Sequence, residues 1–176
     1  MKALIVAKSY LILILFSVSG LAAAAQGGTN PPEDYETLSG ILAVAYEAIS
    51  GEAGSPRPVK RIQSLYIPNG LVSKDVFVDG SYDREVLTID EFQQRFPKIR
   101  ESAFYEEEVN REVRIFGSIA SVWSTYQIRN VKDGPIVHRG INSIQLHFKD
   151  NRWWIVSWSW DAEREGNQIP ASYDAY

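Results

Sequence analysis

Arg152-Trp-Trp-Ile-Val-Ser-Trp-Ser-Trp-Asp-Ala-Glu163 holds four of the chain's five tryptophans. Its β-branched and aromatic residues alternate with small ones, as in a strand. Three similar runs precede it. Glu108–Phe116 breaks at Gly117, Ser118–Arg129 at Asp133-Gly134-Pro135, and Val137–Phe148 at Asp150-Asn151. Those breaks are hairpin signals, so the four runs predict a meandering antiparallel sheet.

The first half reads differently. Leu38, Leu42, Ala45 and Ile49 recur at helical spacing over Tyr35–Ser50. A second helix is expected through Val59, Ile62, Leu65 and Tyr66, stopped by Pro68-Asn-Gly70. A short extended piece, Asp75–Val78, turns at Asp79-Gly80. Thr88-Ile-Asp-Glu91 is a capping box that opens a third helix carrying Phe92 and Phe96. Three N-terminal helices followed by sheet give the α+β class, with the helices on one sheet face.

The 176 residues suggest one domain, and 45% hydrophobic content suffices for a core. A net charge of −4 argues against nucleic-acid binding, which needs a basic field. Residues 1–25 read as a signal peptide: Lys2 and Lys8, an apolar run from Tyr10 to Phe16, then Ala22–Ala25. The run is short for a bilayer span, so export to the periplasm or beyond, without stable membrane association, is expected. The chain has no cysteine, which excludes disulfides, thiolate metal sites and a thiol nucleophile. Residues 26–34 read as a flexible lead-in, and 166–176 as a C-terminal tail.

The stretches LYIPNG (Leu65–Gly70), FGSIASVWSTYQ (Phe116–Gln127), RGINSIQLHF (Arg139–Phe148) and RWWIVSWSWDAE resemble an NTF2-like domain, covering about residues 35–165. Among such domains the chain resembles the bacterial SnoaL-like and DUF4440-like proteins. The resemblance implies a curved sheet wrapped on three helices as a cone with a cavity. It also implies pairing of two copies through the outer sheet face.

Strand register divides the aromatic residues between faces. Across the Asp150-Asn151 turn, Phe148 opposes Trp153, Leu146 opposes Ile155, Ile144 opposes Ser157 and Asn142 opposes Ser159. Trp123 falls beside Ile144. The face with Ile119, Trp123, Ile144, Leu146 and Ile155 is assigned to the cavity. The opposite face carries Trp154, Trp158 and Trp160 near Tyr126. Left in water it would be a large apolar patch, so it is assigned to a homodimer interface. A sugar-binding stripe and a face covered by the C-terminal tail are the alternatives. A slip of one residue would exchange the two faces.

With Phe116-Gly117 as a turn, Arg114 and Glu112 point to the cavity side near Trp123. A charged pair on an apolar face has to be paired or functional. Arg114 is read as an anchor for an acidic ligand, with Glu112, Thr125, Asn142, Ser157 and Ser159 as polar lining. His138 and His147 fit a catalytic base poorly. Glu106-Glu107-Glu108 reads as a solvated strand edge. Tyr46, Tyr66, Tyr105 and Asp161 are types an isomerase would use, but no spacing singles them out. No cofactor and no metal ion is expected. The functional expectation is a secreted protein binding a small hydrophobic, possibly acidic, molecule. The alternative is an enzyme of the isomerase, dehydratase or cyclase kind.

Overall fold

The computed structural model describes residues 34–78 and 81–174. The expected leader, and the lead-in up to residue 33, lie outside the described residues.

Helix α1 (Leu38–Ile49) opens where the sequence expects it. The Thr37 hydroxyl accepts from the Gly40 amide at 3.0 Å, which satisfies one orphan donor of the first turn. Its inward residues, among them Ile41, Leu42 and Ala45, are buried in the core. At its other end the buried guanidinium of Arg100 donates to the carbonyls of Ala48, Ile49 and Ser50 at 2.8–3.1 Å. A cation at a helix C-terminus meets both the unpaired carbonyls and the negative end of the dipole.

Helix α2 (Val59–Gln63) is a little over one turn. Strands β1 (Tyr66–Val78) and β2 (Ser81–Thr88) follow as an antiparallel hairpin. Helix α3 (Ile89–Gln94) carries the full Thr88–Glu91 capping box. Strands β3 (Tyr105–Phe116), β4 (Ile119–Arg129), β5 (Ile136–Lys149) and β6 (Arg152–Ala162) complete the chain. The sheet order is β2-β1-β6-β5-β4-β3.

Three expectations need correction. The helices are not all N-terminal, because α3 follows the β1–β2 hairpin, and only α1 is long. The sheet is mixed, because β1 runs parallel to β6. Pro68-Asn69-Gly70 does not stop a helix. It makes an irregularity inside β1, with Asn69 at φ 60° and a register shift between Tyr66 and Leu71. A parallel partner almost ninety residues away leaves no local turn signal.

The four-strand meander forms as expected, but its register carries three extra residues. Val109 is extra in β3, between Glu108 opposite Tyr126 and Asn110 opposite Thr125. Val137 is extra in β5, between Ile136 opposite Arg129 and His138 opposite Ile128. Val156 is extra in β6, between Ile155 opposite Leu146 and Ser157 opposite Gln145. Each bulge reverses the in–out alternation beyond it. Trp153 and Ile155 therefore point inward as expected, and Trp158 and Trp160 point inward too. Ile144 opposes Trp158 rather than Ser157, and Asn142 opposes Trp160 rather than Ser159. Inward on β4 are Ala120, Val122, Ser124 and Tyr126, all buried, so Trp123 points outward.

Candidate functional site

The concave face of the sheet and the helices enclose a cavity of about 340 Å³. Its wall is mostly apolar: Ile62 and Leu65 beside α2, Phe92 and Phe96 at α3, and Trp158 and Trp160 from β6. Edge-to-face contacts hold the rings, Phe92 with Trp160 at 5.7 Å and Tyr46 with Trp158 at 5.5 Å. Tyr126 also lines the wall, and its hydroxyl lies where a Cβ on Gly140 would sit, 2.4 Å away. Any larger residue at Gly140 would push that ring out of place.

The polar part of the wall converges on Glu106 of β3 and Asn142 of β5. The Asn142 amide donates to Glu106 Oε1 at 3.1 Å and to the Tyr46 hydroxyl oxygen at 3.0 Å. Tyr46 lies 2.7 Å from Ser124 Oγ, and Ser124 donates to Glu108 Oε1 at 2.6 Å. Ser124 has one proton, and Glu108 takes it, so Tyr46 must donate to Ser124. The order of donation is thus set, and the Tyr46 phenol proton is already committed. Glu108 is closed off further by Arg111, 2.6 Å away. Burial still leaves its carboxyl somewhat above the ordinary carboxylate range.

Glu106 differs from Glu108. No cation pairs with it among the described residues, and Asn142 supplies its side-chain hydrogen bond. Burial pushes its carboxyl up to about 7, against the lowering effect of Asn142. A carboxyl with that affinity can accept or release a proton at neutral pH.

The residues expected to form the binding site divide in the structure. Asn142 alone joins the cavity. Arg114 and Glu112 lie on the outer face, opposite Ser121 and Trp123; they share a face with Trp123 as expected, but the extra Val137 sets Trp123 opposite Ser143 instead of Ile144 and turns that face outward. They pair with each other at 2.7 Å, and the Arg114 side chain is 81% exposed. Trp123 is also outward, 42% exposed, with the Tyr173 ring 6.0 Å away. Thr125 is buried beneath the C-terminal tail and donates to the Tyr173 carbonyl. Ser159 lines a shallow outer groove with Trp123, Ser143 and Tyr173, and Ser157 opposes Gln145 on the same face.

The residues expected at a dimer interface divide as well. Trp158 and Tyr126 are 7% and 3% exposed, which leaves them no surface for a partner, and Trp160 packs against the core. Of that set only Trp154 faces outward, with the Arg152 guanidinium 3.8 Å above its ring. Sequence reasoning misses Glu106, which reads there as part of a solvated edge, and Arg57, which lines the cavity from the segment before α2. One signal was present: Glu106 and Glu108 alternate, so one strand face had to carry both.

No family model matches this chain, and no curated protein does. Solved structures do resemble it. A protein of unknown function from Mycobacterium tuberculosis superposes with a TM-score of 0.53 at 12% identity, over 76% of this chain and 75% of its own. A Nostoc punctiforme protein of unknown function with a cystatin-like fold gives 0.52 at 11% identity, over 70% and 86%. An NTF2-like protein of unknown function from Shewanella baltica gives 0.48 at 13% identity, over 70% and 89%. Identities this low speak to architecture alone: the chain shares its overall fold with the first two proteins, the second of which is described as cystatin-like.

Proposed function

We propose that this protein binds a small, largely apolar molecule in its cone cavity, with Glu106 and Asn142 as the polar contact. The observation that carries this reading is the make-up of the wall: mostly aromatic and aliphatic surface with a few polar groups, among them the Glu106–Asn142 pair. A concave apolar site with a few convergent polar groups is the usual form of a small-molecule pocket. The volume of about 340 Å³ suits a ligand of one or two rings. The test is a native-mass-spectrometry and thermal-shift screen of small hydrophobic compounds. Glu106→Gln and Trp158→Ala should weaken every hit, while the outer-face variants Arg114→Ala and Trp123→Ala leave hits unchanged. Hits that respond only to the outer-face variants would move the site out of the cavity.

A second reading is favoured by the raised affinity of Glu106 for its proton. It is an acid–base catalyst that moves a proton on the bound molecule, as an isomerase or dehydratase does. A hit that takes up carbon-bound deuterium from heavy water, and stops doing so in Glu106→Gln, would establish turnover. A hit recovered without deuterium would leave binding as the function.

Export and pairing are also proposed. Export rests on Lys2, the apolar run and Ala22–Ala25, and an intact mass beginning near Gln26 would support it. Homodimerisation now rests on the exposed outer residues Phe116, Ile119 and Trp123 instead of the inward tryptophans. Sedimentation as a monomer at every concentration would exclude it.

A further inference from the structure

The cavity has a second charged wall residue. The chain from Gly51 to Arg57 pairs with residues 98–104, through bridges Gly51–Phe104 and Pro56–Ile99. The Arg57 amide donates to the Lys98 carbonyl at 2.8 Å, and the Arg100 amide to the Ser55 carbonyl at 2.9 Å. This pairing places Arg57 in the cavity wall with its guanidinium 4.8 Å from the centre of the Phe96 ring.

Arg57 has no ordinary reason to be there. Its Nε is buried without a hydrogen-bond partner. It forms no ion pair with a carboxylate among the described residues. Glu106 lines the same cavity, yet the two do not meet, and Glu106 behaves as an uncompensated carboxyl. The nearby Arg100 does not relieve Arg57, since it too is a cation. Arg100 is held below its ordinary guanidinium range by burial and, after that, by Arg57 itself. Arg100 at least has three helix carbonyls. Among the described residues, Arg57 has an aromatic face and an unused donor. A guanidinium stays charged in proteins, and a half-buried one without a counter-charge is costly.

We propose that Arg57 anchors an anionic group of the ligand, so that the cavity selects small hydrophobic acids over their neutral isosteres. This rests on the reading of the cavity as a small-molecule site and gives that ligand a chemical class. The acid would take a charge-assisted hydrogen bond from the Arg57 guanidinium. Its apolar body would lie against Phe92, Phe96, Trp158 and Trp160. Its far end would meet Glu106, which Arg57 leaves unpaired. Arg114, at the outer surface, has no part in this.

The test uses the full chain and two probes of one shape, 2-naphthylacetate and 2-naphthylacetamide, measured by titration calorimetry at neutral pH. The parent should bind the acid at least tenfold tighter than the amide. Arg57→Gln should remove that preference by weakening the acid and leave the amide within about twofold. Arg57→Lys should keep part of it. Should Arg57→Gln fail to fold, the salt dependence in the parent decides instead: acid binding should weaken as salt rises, and amide binding should not. An amide that binds as well as the acid in the parent overturns the anion anchor and leaves the cavity reading standing. So does an acid preference that survives Arg57→Gln. If neither probe binds, both readings fall together.

Discussion

Glu106 and Glu112 lie on the same strand at an even separation, so a regular β3 would turn both to one side. They end on opposite faces of the sheet. Glu106 sits in an apolar hollow with one amide donating to it. Glu112 sits at the surface, bridged to a still more exposed Arg114. The same residue type is a buried carboxyl with raised proton affinity in one place and a solvated charge in the other. The difference comes from one extra residue, Val109. The β6 tryptophans repeat the lesson: Trp154 and Trp158, again an even distance apart, face outward and inward because Val156 intervenes. A bulge in this fold changes which residues can do chemistry as well as bending a strand.

The largest test of that contrast is on β6. Trp158→Ala removes a buried ring that contacts Tyr46, and large-to-small changes of this kind cost about 3–5 kcal/mol. Trp154→Ala should cost about 1 kcal/mol or less, the worth of a partly solvated cation–π contact with Arg152. Urea unfolding of the two variants measures both. Equal losses would mean that the two rings share one environment.

The next test concerns Glu106 and pH. The folded pKa lies above the ordinary value, at about 7 against 4.5. The folded state therefore holds the proton more tightly than the unfolded chain does. The protein is favoured below the unfolded value, and that advantage is lost as pH rises through about 7. Glu106→Gln, which keeps the shape and cannot ionise, removes this dependence. The variant should match the parent near about pH 4 and exceed it by up to about 3 kcal/mol near about pH 8, as a rise from 4.5 to about 7 implies. Denaturant melts at the two pH values decide the matter. A variant that is less stable than the parent at both would show an ionised Glu106 stabilising the fold.

The smallest effect belongs to the outer pair. Arg114→Ala should leave stability and cavity binding unchanged, because isolated surface ion pairs contribute little. A clear loss of binding in calorimetry would return Arg114 to the site.

The same contrasts separate what is legible in the amino-acid sequence from what is hidden there. The capping box at Thr88, the turns at Gly117 and Asp150-Asn151, and the aromatic strands all rest on local chemistry, and all can be read directly. The parallel pairing of β1 with β6 cannot, since its partners are distant and leave no turn between them. The inward residues are misassigned beyond each bulge, because Val109, Val137 and Val156 look like ordinary strand valines. Asn142 falls in the cavity as expected, yet the residues it supports do not show themselves. Glu106 is hidden by its place in a run of three glutamates that reads as a solvated edge, and Arg57 by a pairing of two loops that meet only in the folded chain.

The Val109 bulge turns Glu106 into a dry hollow. Carbon-13 NMR of the glutamate side-chain carboxyls against pH tests it most directly, with Glu106→Gln identifying the resonance. The midpoint expected for Glu106 is near 7. A midpoint near the ordinary 4.5 would place that carboxyl in water and contradict the claim.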